Sequence, residues 1–366
     1  MPAWDLDCVE AAFAQAAVEP SLWGKALEVV STETEAYGAV LFPAPGSVLP
    51  NLPHTDSMAS CINDYFRDGW YLKDERNGGI PTLMRTGIAD DFDAINIDRI
   101  RRHPYYQEYL ASYGLQWFVA VRMLANDTLW ILSIQRTIEQ QPFSPDEKAR
   151  LARLVHSLPS SVVIARALGR TNAATALDAF EISQTAVVLV DRQGRVICPN
   201  ASAERLLTGE VCIRDRRIVA ANSSATAALD RALHTMIFNR DGGGLGEPVL
   251  LPRHGRGPLL AYPGRLPALM ANPLADCQAI VVFVDPDQCR RPQTAILRSI
   301  FKLTEAEARV AVHLATGESI ELAADKLGIS PLTARTQLKA IFSKTDTHRQ
   351  GELVALLSRL IPFHRK

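Results

Sequence analysis

Apolar positions along this chain change their rhythm three times. Between Leu6 and Phe13, and again from Leu22 to Val30, they return every three or four residues, the period of a helix lying on a core. Tyr37 to Phe42, Gly114 to Arg122 and Leu129 to Ile134 are strand-length apolar runs, and Asp146 to Leu168 reads as one long helix. This is an α/β sandwich order. From Leu177 to Asp285 the rhythm shifts. Thr185 to Val190 and Arg195 to Cys198 flank the turn Asp191-Arg192-Gln193-Gly194 as a hairpin, and short helices follow from Asn200 to Leu207 and through Leu229, Leu233, Met236 and Ile237. Strand-like runs then lie near Val249 to Leu251, Pro258 to Tyr262 and Ala279 to Val284.

The last third of the pattern is helical and sharply punctuated. Thr304 with Glu307 predicts a capping box, and Gly317 stands where a left-handed residue closes that helix. Ser319 caps a second helix that Gly328 ends, and Ser330 with Pro331 opens a third. In the third helix Ala334, Leu338 and Ile341 form an apolar stripe, while Thr333, Arg335, Thr336, Gln337 and Lys339 are assigned to the opposite face. Such a face can donate to base edges and phosphates while the apolar side stays buried. Lys344 stands one turn further on, placed for a phosphate. Thr347 and Gln350 predict another capping box, followed by Leu353, Leu357 and Leu360 on one face of a fourth helix.

Leu303, Thr304 and Glu307, then Gly317 and Ser319, then Leu322-Ala323 with Leu327, then Ser330 with Thr333-Ala334, and lastly Lys344 resemble the DNA-binding domain of LuxR/FixJ-type transcription regulators. Gln337 departs from the usual histidine of that family and is able to pair bidentately with adenine. The resemblance implies that Ser330, Thr333, Arg335, Thr336, Gln337, Lys339 and Lys344 contact DNA. It also implies that the fourth helix pairs with its copy, although Leu353, Leu357 and Leu360 equally suit a face that covers the domain core.

Charge separates this module from the rest. Residues 296–366 hold 11 Lys plus Arg against 7 Asp plus Glu, or +4, and the whole chain's 39 against 40 leaves 28 against 33, or −5, for the remainder. A basic module of this size suits a few phosphate contacts and salt-dependent binding. With 366 residues, 47% of them apolar, the chain has the material for two or three cores. No apolar run approaches the length of a membrane span, and the acidic start, Asp5, Asp7 and Glu10, is unlike a signal peptide, so a cytoplasmic location is expected. Cys8, Cys61, Cys198, Cys212, Cys277 and Cys289 show no zinc-binding spacing and read as reduced thiols.

Val190-Asp191-Arg192-Gln193-Gly194-Arg195-Val196 followed by Pro199-Asn200-Ala201-Ser202-Ala203 resembles PAS domains. That resemblance implies a curved antiparallel sheet whose cleft holds a ligand or relays a signal. Haem and flavin are among the ligands it brings, with His234 or His254 as an axial haem ligand; Gly242 to Gly246 lacks a phosphate-loop lysine and reads as a flexible loop. The first 170 residues resemble GAF domains and, more loosely, autoinducer-binding domains: an aromatic segment ends at Asp74 and a Tyr-Gly-Leu strand follows. The Trp, Tyr and Asp spacing of acyl-homoserine-lactone receptors is not reproduced. Tyr65, Trp70, Tyr71, Asp74 and Trp117, together with Tyr105, Tyr106 and Phe118, either line an apolar ligand pocket or are plain core. Asp90, Asp91 and Asp93 read as a solvated loop.

The chain is thus expected to be a multidomain α+β protein. A GAF-like α/β sandwich spans 1–170, a PAS-like antiparallel sheet with helices 177–286, a linker 287–297, and an all-α four-helix helix-turn-helix domain 298–366. The function expected is that of a homodimeric, sequence-specific transcription regulator of double-stranded DNA, gated by a small-molecule effector or another signal, with no assigned cofactor and no membrane partner. A haem- or flavin-binding sensor in which DNA binding is secondary is the alternative. No acid/base pair or nucleophile motif points to catalysis.

Overall fold

The computed structural model describes residues 4–43, 52–125, 128–238, 244–265, 272–287 and 292–358. Two helices, Leu6–Val18 and Trp23–Glu33, precede strand β1 (Gly38–Pro43), and β2 (Ile88–Asp90), β3 (Leu115–Ala125) and β4 (Thr128–Thr137) complete an antiparallel sheet in the order β1-β4-β3-β2. Alternation along the strands decides what each face does. Val119, Val121 and Met123 of β3 and Trp130, Leu132 and Ile134 of β4 join Phe13, Leu27 and Val162 in one helix-covered core. The residues between them, Phe118, Ala120, Ile131, Ser133 and Gln135, turn the other way and floor a cavity. Its wall includes a π-helical turn, Tyr105–Leu110, that no sequence pattern announces.

The single helix expected over Asp146 to Leu168 is replaced by Pro145–Leu151, Leu154–Ser157 and Pro159–Ile182. Pro159 has no N–H to offer the carbonyl four residues back, so helical bonding restarts there. Pro159–Ile182 then continues for 24 residues, straight through the interval between the two expected N-terminal units.

Strands β5 (Ala186–Val190), β6 (Val196–Pro199), β7 (Cys212–Arg214), β8 (Arg217–Val219), β9 (Gly244–Leu245), β10 (Val249–Arg253), β11 (Arg256–Arg265) and β12 (Ala279–Val284) follow. The main antiparallel sheet runs β10-β11-β12-β5-β6, with β9 added on β11. Leu229, Leu233 and Ile237 of helix Ser223–Phe238 cover one face, and Ala173, Leu177 and Phe180 of helix Pro159–Ile182 cover the other. Burial on both sides explains why β5 and β12 are apolar without alternation. The β7–β8 hairpin was not expected, because its turn residues Asp215 and Arg216 take positive φ (50° and 59°) without the glycine that normally marks such a turn.

Five helices follow Arg291 among the described residues, one more than expected: Thr294–Phe301, Glu305–Ala315, Ile320–Leu327, Pro331–Thr345 and Gln350–Ser358. The additional helix starts inside the stretch expected to be a linker, and Leu297 is fully buried in a core with Leu314, Ala334 and Ile341. Cys289, Leu360 and the tail from Phe363 lie outside the described residues, as do Gly242, Gly243 and most of the loop from Pro43 to Pro53.

Gly169 sits where the long helix meets the segment before β12. A Cβ at this position would lie 2.7 Å from the Ala275 Cβ, and beside it the Asn272 amide donates to the Ala165 carbonyl at 2.6 Å. Gly169→Val is therefore expected to destabilise the protein by about 1–3 kcal/mol through overpacking, read as a lower urea midpoint, with Gly169→Ala milder; wild-type midpoints for both would show that the helix and this segment do not pack this closely.

Candidate nucleic-acid interface and ligand cavity

Three of the four caps expected in the C-terminal module make the bonds expected of them. Thr304 and Glu307 form a reciprocal capping box, Ser319 accepts from the Leu322 N–H, and Ser330 accepts from the Thr333 N–H at 3.1 Å with Pro331 in the first turn. Gly328, at φ 65°, supplies the left-handed residue that lets the chain turn between the second and third of these capped helices. Thr347 and Gln350 do not behave as expected. The Thr347 hydroxyl pairs with that of Thr345, and the Gln350 amide donates to the Glu318 carbonyl.

Helix Pro331–Thr345 sorts its side chains by angle. At about 100° per residue, Leu332, Arg335, Thr336 and Lys339 fall within an arc of about 100°, opposite the stripe of Ala334, Leu338 and Ile341. All four are exposed, whereas Ala334 and Ile341 are buried. Arg335 reaches Glu321 of the preceding helix at 3.0 Å in a solvent-exposed pair, and the Thr336 hydroxyl donates to the Leu332 carbonyl. Such an exposed pair contributes little stability and is readily exchanged for a stronger acceptor.

Three site expectations need correction. Gln337 does not share the exposed face: it lies about 140° round from Leu332, beside the apolar stripe, and its Oε1 is buried without a partner. Lys344 is committed within the module, its ammonium 2.7 Å from Glu307, the carboxylate that also accepts from the Thr304 N–H. Leu353 and Leu357 are fully buried in the module's own core, so they offer no free face to a second copy.

The second candidate site is the cavity of about 320 Å³ beneath the first sheet. Tyr65, Tyr71 and Asp74 line it, as do Tyr105 and Phe118. Trp70 instead stacks on Tyr109 with centroids 5.3 Å apart, Trp117 packs near Phe92, and the Tyr106 hydroxyl bonds Asp91 behind the wall. The polar end is built on Arg76, overlooked in the run Lys73-Asp74-Glu75-Arg76. Its guanidinium, buried and 4.2 Å from the Phe118 ring, donates to Asp91 (3.2 Å), Gln135 (2.9 Å) and the Gln116 carbonyl (3.0 Å).

Asp90 and Asp91 are therefore not parts of a solvated loop. Asp91 also accepts from the Phe118 N–H (2.7 Å) and the Tyr106 hydroxyl (2.8 Å), while Asp90 caps a short helix with Asp93 and pairs with Lys148. Burial pushes the Asp91 carboxyl up to about 6 against the pull of Arg76 and these donors. Asp74 accepts from the Tyr65 hydroxyl (2.7 Å) and the Arg76 N–H (3.0 Å), and burial raises its carboxyl as well. Gln135 donates to the Ser133 hydroxyl at 2.8 Å. An apolar chamber with carboxylate, hydroxyl and amide groups at one end suits a small organic molecule carrying both donors and acceptors.

In the middle region His234 is exposed and stacks on Phe238, and the exposed His254 is bonded to Glu210, so neither imidazole enters the buried core. Among the described residues, no group of three or more His, Cys, Asp or Glu is arranged to hold a metal ion, and no helix is long and apolar enough to cross a membrane.

No family model matches the chain, and no curated protein matches it. Solved structures similar to it include the phage VqmA–DPO complex, 18% identical over 52% of this chain and 90% of that one, with a TM-score of 0.22. Escherichia coli SdiA is 11% identical over 96% of this chain and 92% of its own, at 0.28. The bacteriophytochrome RpBphP3 from R. palustris is 13% identical over 76% and 63%, at 0.31.

Because Lys344 ties the third capped helix to the first, Lys344→Ala is expected to cost about 1–3 kcal/mol as the buried Glu307 loses a charged partner. The check is the thermal unfolding of the full chain, in which Lys344→Arg should keep most of the wild-type stability. An unchanged melting profile for Lys344→Ala would remove the ion pair from the stability of this module.

Proposed function

We propose that this chain is a sequence-specific DNA-binding transcription regulator that acts as a homodimer and is gated by a small organic effector. The observation that carries the reading is the exposed face of helix Pro331–Thr345. Arg335, Thr336 and Lys339 project from a helix whose other side is buried and whose entry is fixed by Ser330 and Pro331. A helix so presented enters a major groove with donors toward base edges and phosphates. Selection from randomised duplexes with the full-length protein should recover a site, and Arg335→Ala and Lys339→Ala should each weaken binding to it about tenfold, the order of one lost base or phosphate contact. If both variants bind as wild type does, the helix is not a recognition helix.

The cavity lined by Asp74, Tyr65 and Arg76 is assigned to the effector, whose binding changes the population of dimer geometries that span two adjacent grooves. The two-fold contact is placed on helix Pro159–Ile182, where Val163, Ile164 and Leu168 are 45%, 42% and 37% exposed on one side. Three large apolar side chains in one exposed patch of a helix mark an association surface. Ile164→Glu combined with Leu168→Glu is expected to convert dimer to monomer in light scattering and to abolish binding to a two-fold site; an unchanged dimer would move the contact elsewhere.

A further inference from the structure

The exposed face of helix Pro331–Thr345 contains one side chain that does not fit a solvated surface. Leu332 is 77% exposed, as much as any large apolar side chain among the described residues, and it lies opposite the buried stripe of Ala334 and Ile341. Helical geometry puts Thr336 and Lys339, four and seven residues on, in line with it, and Arg335 just to one side. A leucine here gives the folded chain no packing, and its neighbours are two cations and a hydroxyl.

We infer that Leu332 reads the C5-methyl group of a thymine. The inference rests on the DNA-binding reading and adds to it a base preference. Ser330 and Pro331 fix Leu332 in the first turn of the helix, and the N-terminal residues of a helix docked in a major groove are those that reach base edges. The thymine methyl is the apolar feature on those edges, and aliphatic contact with it discriminates thymine from cytosine. The two cations beside it suit a polyanion and disfavour an apolar or basic protein surface. Arg335 lies just to one side of the leucine and Lys339 in line with it, and the exposed pair of Arg335 with Glu321 is readily exchanged for a phosphate. Gln337, the residue expected to read adenine, is turned toward the apolar stripe, which leaves Leu332 as the side chain at the centre of the face.

The test replaces each thymine of a recovered duplex, in turn, by deoxyuridine, which keeps base pairing and removes only the methyl. Synthetic duplexes contain no methylated cytosine, so thymine is the sole source of the group. At one thymine in each half-site, deoxyuridine should weaken wild-type binding about three- to fivefold, the value of one buried methyl. Leu332→Ala should bind the thymine duplex more weakly by a similar factor and lose nothing further on the deoxyuridine duplex, while Leu332→Met, which keeps an aliphatic tip, should still respond to the methyl. Because the side chain is exposed, the melting profile of Leu332→Ala should match wild type. A Leu332→Ala protein that responds to every deoxyuridine as wild type does overturns the inference, as does a recovered site without thymine. Failure of the DNA reading has a different signature: no site is recovered, or Arg335→Ala and Lys339→Ala leave binding unchanged.

Discussion

One helix is shared by two sheets, and much of the architecture follows from that. The first turns of Pro159–Ile182 put Val162 and Ala165 into the core of the N-terminal sheet, and its later turns put Ala173, Leu177 and Phe180 on the sheet formed by β5 and β12. A helix is stiff along its length, so burying both ends fixes the direction in which the second sheet leaves the first. Polar ties reinforce the junction. Arg166 bonds the Thr128 hydroxyl at the start of β4 and the Asp276 carboxylate just before β12, and Arg192, from the β5–β6 turn, lies over the Trp130 ring of β4 while donating to the Ala275 carbonyl. Gly169 is the close-contact point among these ties, because any side chain there would meet Ala275.

The cavity depends on a different constraint, the satisfaction of a buried charge. Arg76 and Asp91 are each taken out of water, and removing one partner of such a pair typically costs about 3–5 kcal/mol because the other is left uncompensated. Here neither depends on the other alone. Gln135 and the Gln116 carbonyl also accept from the guanidinium, and the Phe118 N–H and the Tyr106 hydroxyl also donate to the carboxylate. The network joins the segment after Asp74, the start of β3 and the end of β4, so it holds the polar end of the chamber at a set distance from the apolar floor. Ser133 and Gln135 of that polar end belong to β4, and β4 is also what Arg166 and Arg192 grip. That is a physical route from the chamber to the second sheet.

The C-terminal module was the most legible part of the chain because its signals are local. A capping box spans three residues and a left-handed glycine acts on its own turn, so Thr304, Ser319, Gly328 and Ser330 could each be assigned without knowing what packs where. Most strand positions on the two sheets were legible for a related reason: apolar runs of strand length need only be buried. Strands β2 at Ile88–Asp90 and β9 at Gly244–Leu245, the latter within the stretch read as a flexible loop, were not, because they are short and held by pairing to β3 and β11. Features set by distant partners escaped. Arg76 and Asp91 stand 15 residues apart in stretches that look like solvated charge, and the π-helical turn at Tyr105–Leu110 and the glycine-free turn at Asp215 and Arg216 have no compositional mark. Leu332 carried a signal, an apolar residue interrupting a polar face, that the pattern of capped helices overshadowed.

Read alone, the amino-acid order determined where the three capped C-terminal helices begin, where the first two end, which residues turn the chain between them and which stripe of the third is buried, since these follow from backbone valence and helical period. Tertiary structure alone decided which polar groups are committed. Lys344, Gln337, Leu353 and Leu357 have the residue types of an interface, yet Glu307, the apolar stripe and the module's core claim them. Whether a side chain is free to meet a partner depends on what the fold brings within a few ångströms of it, and the neighbours that decide this are dozens of residues away along the chain.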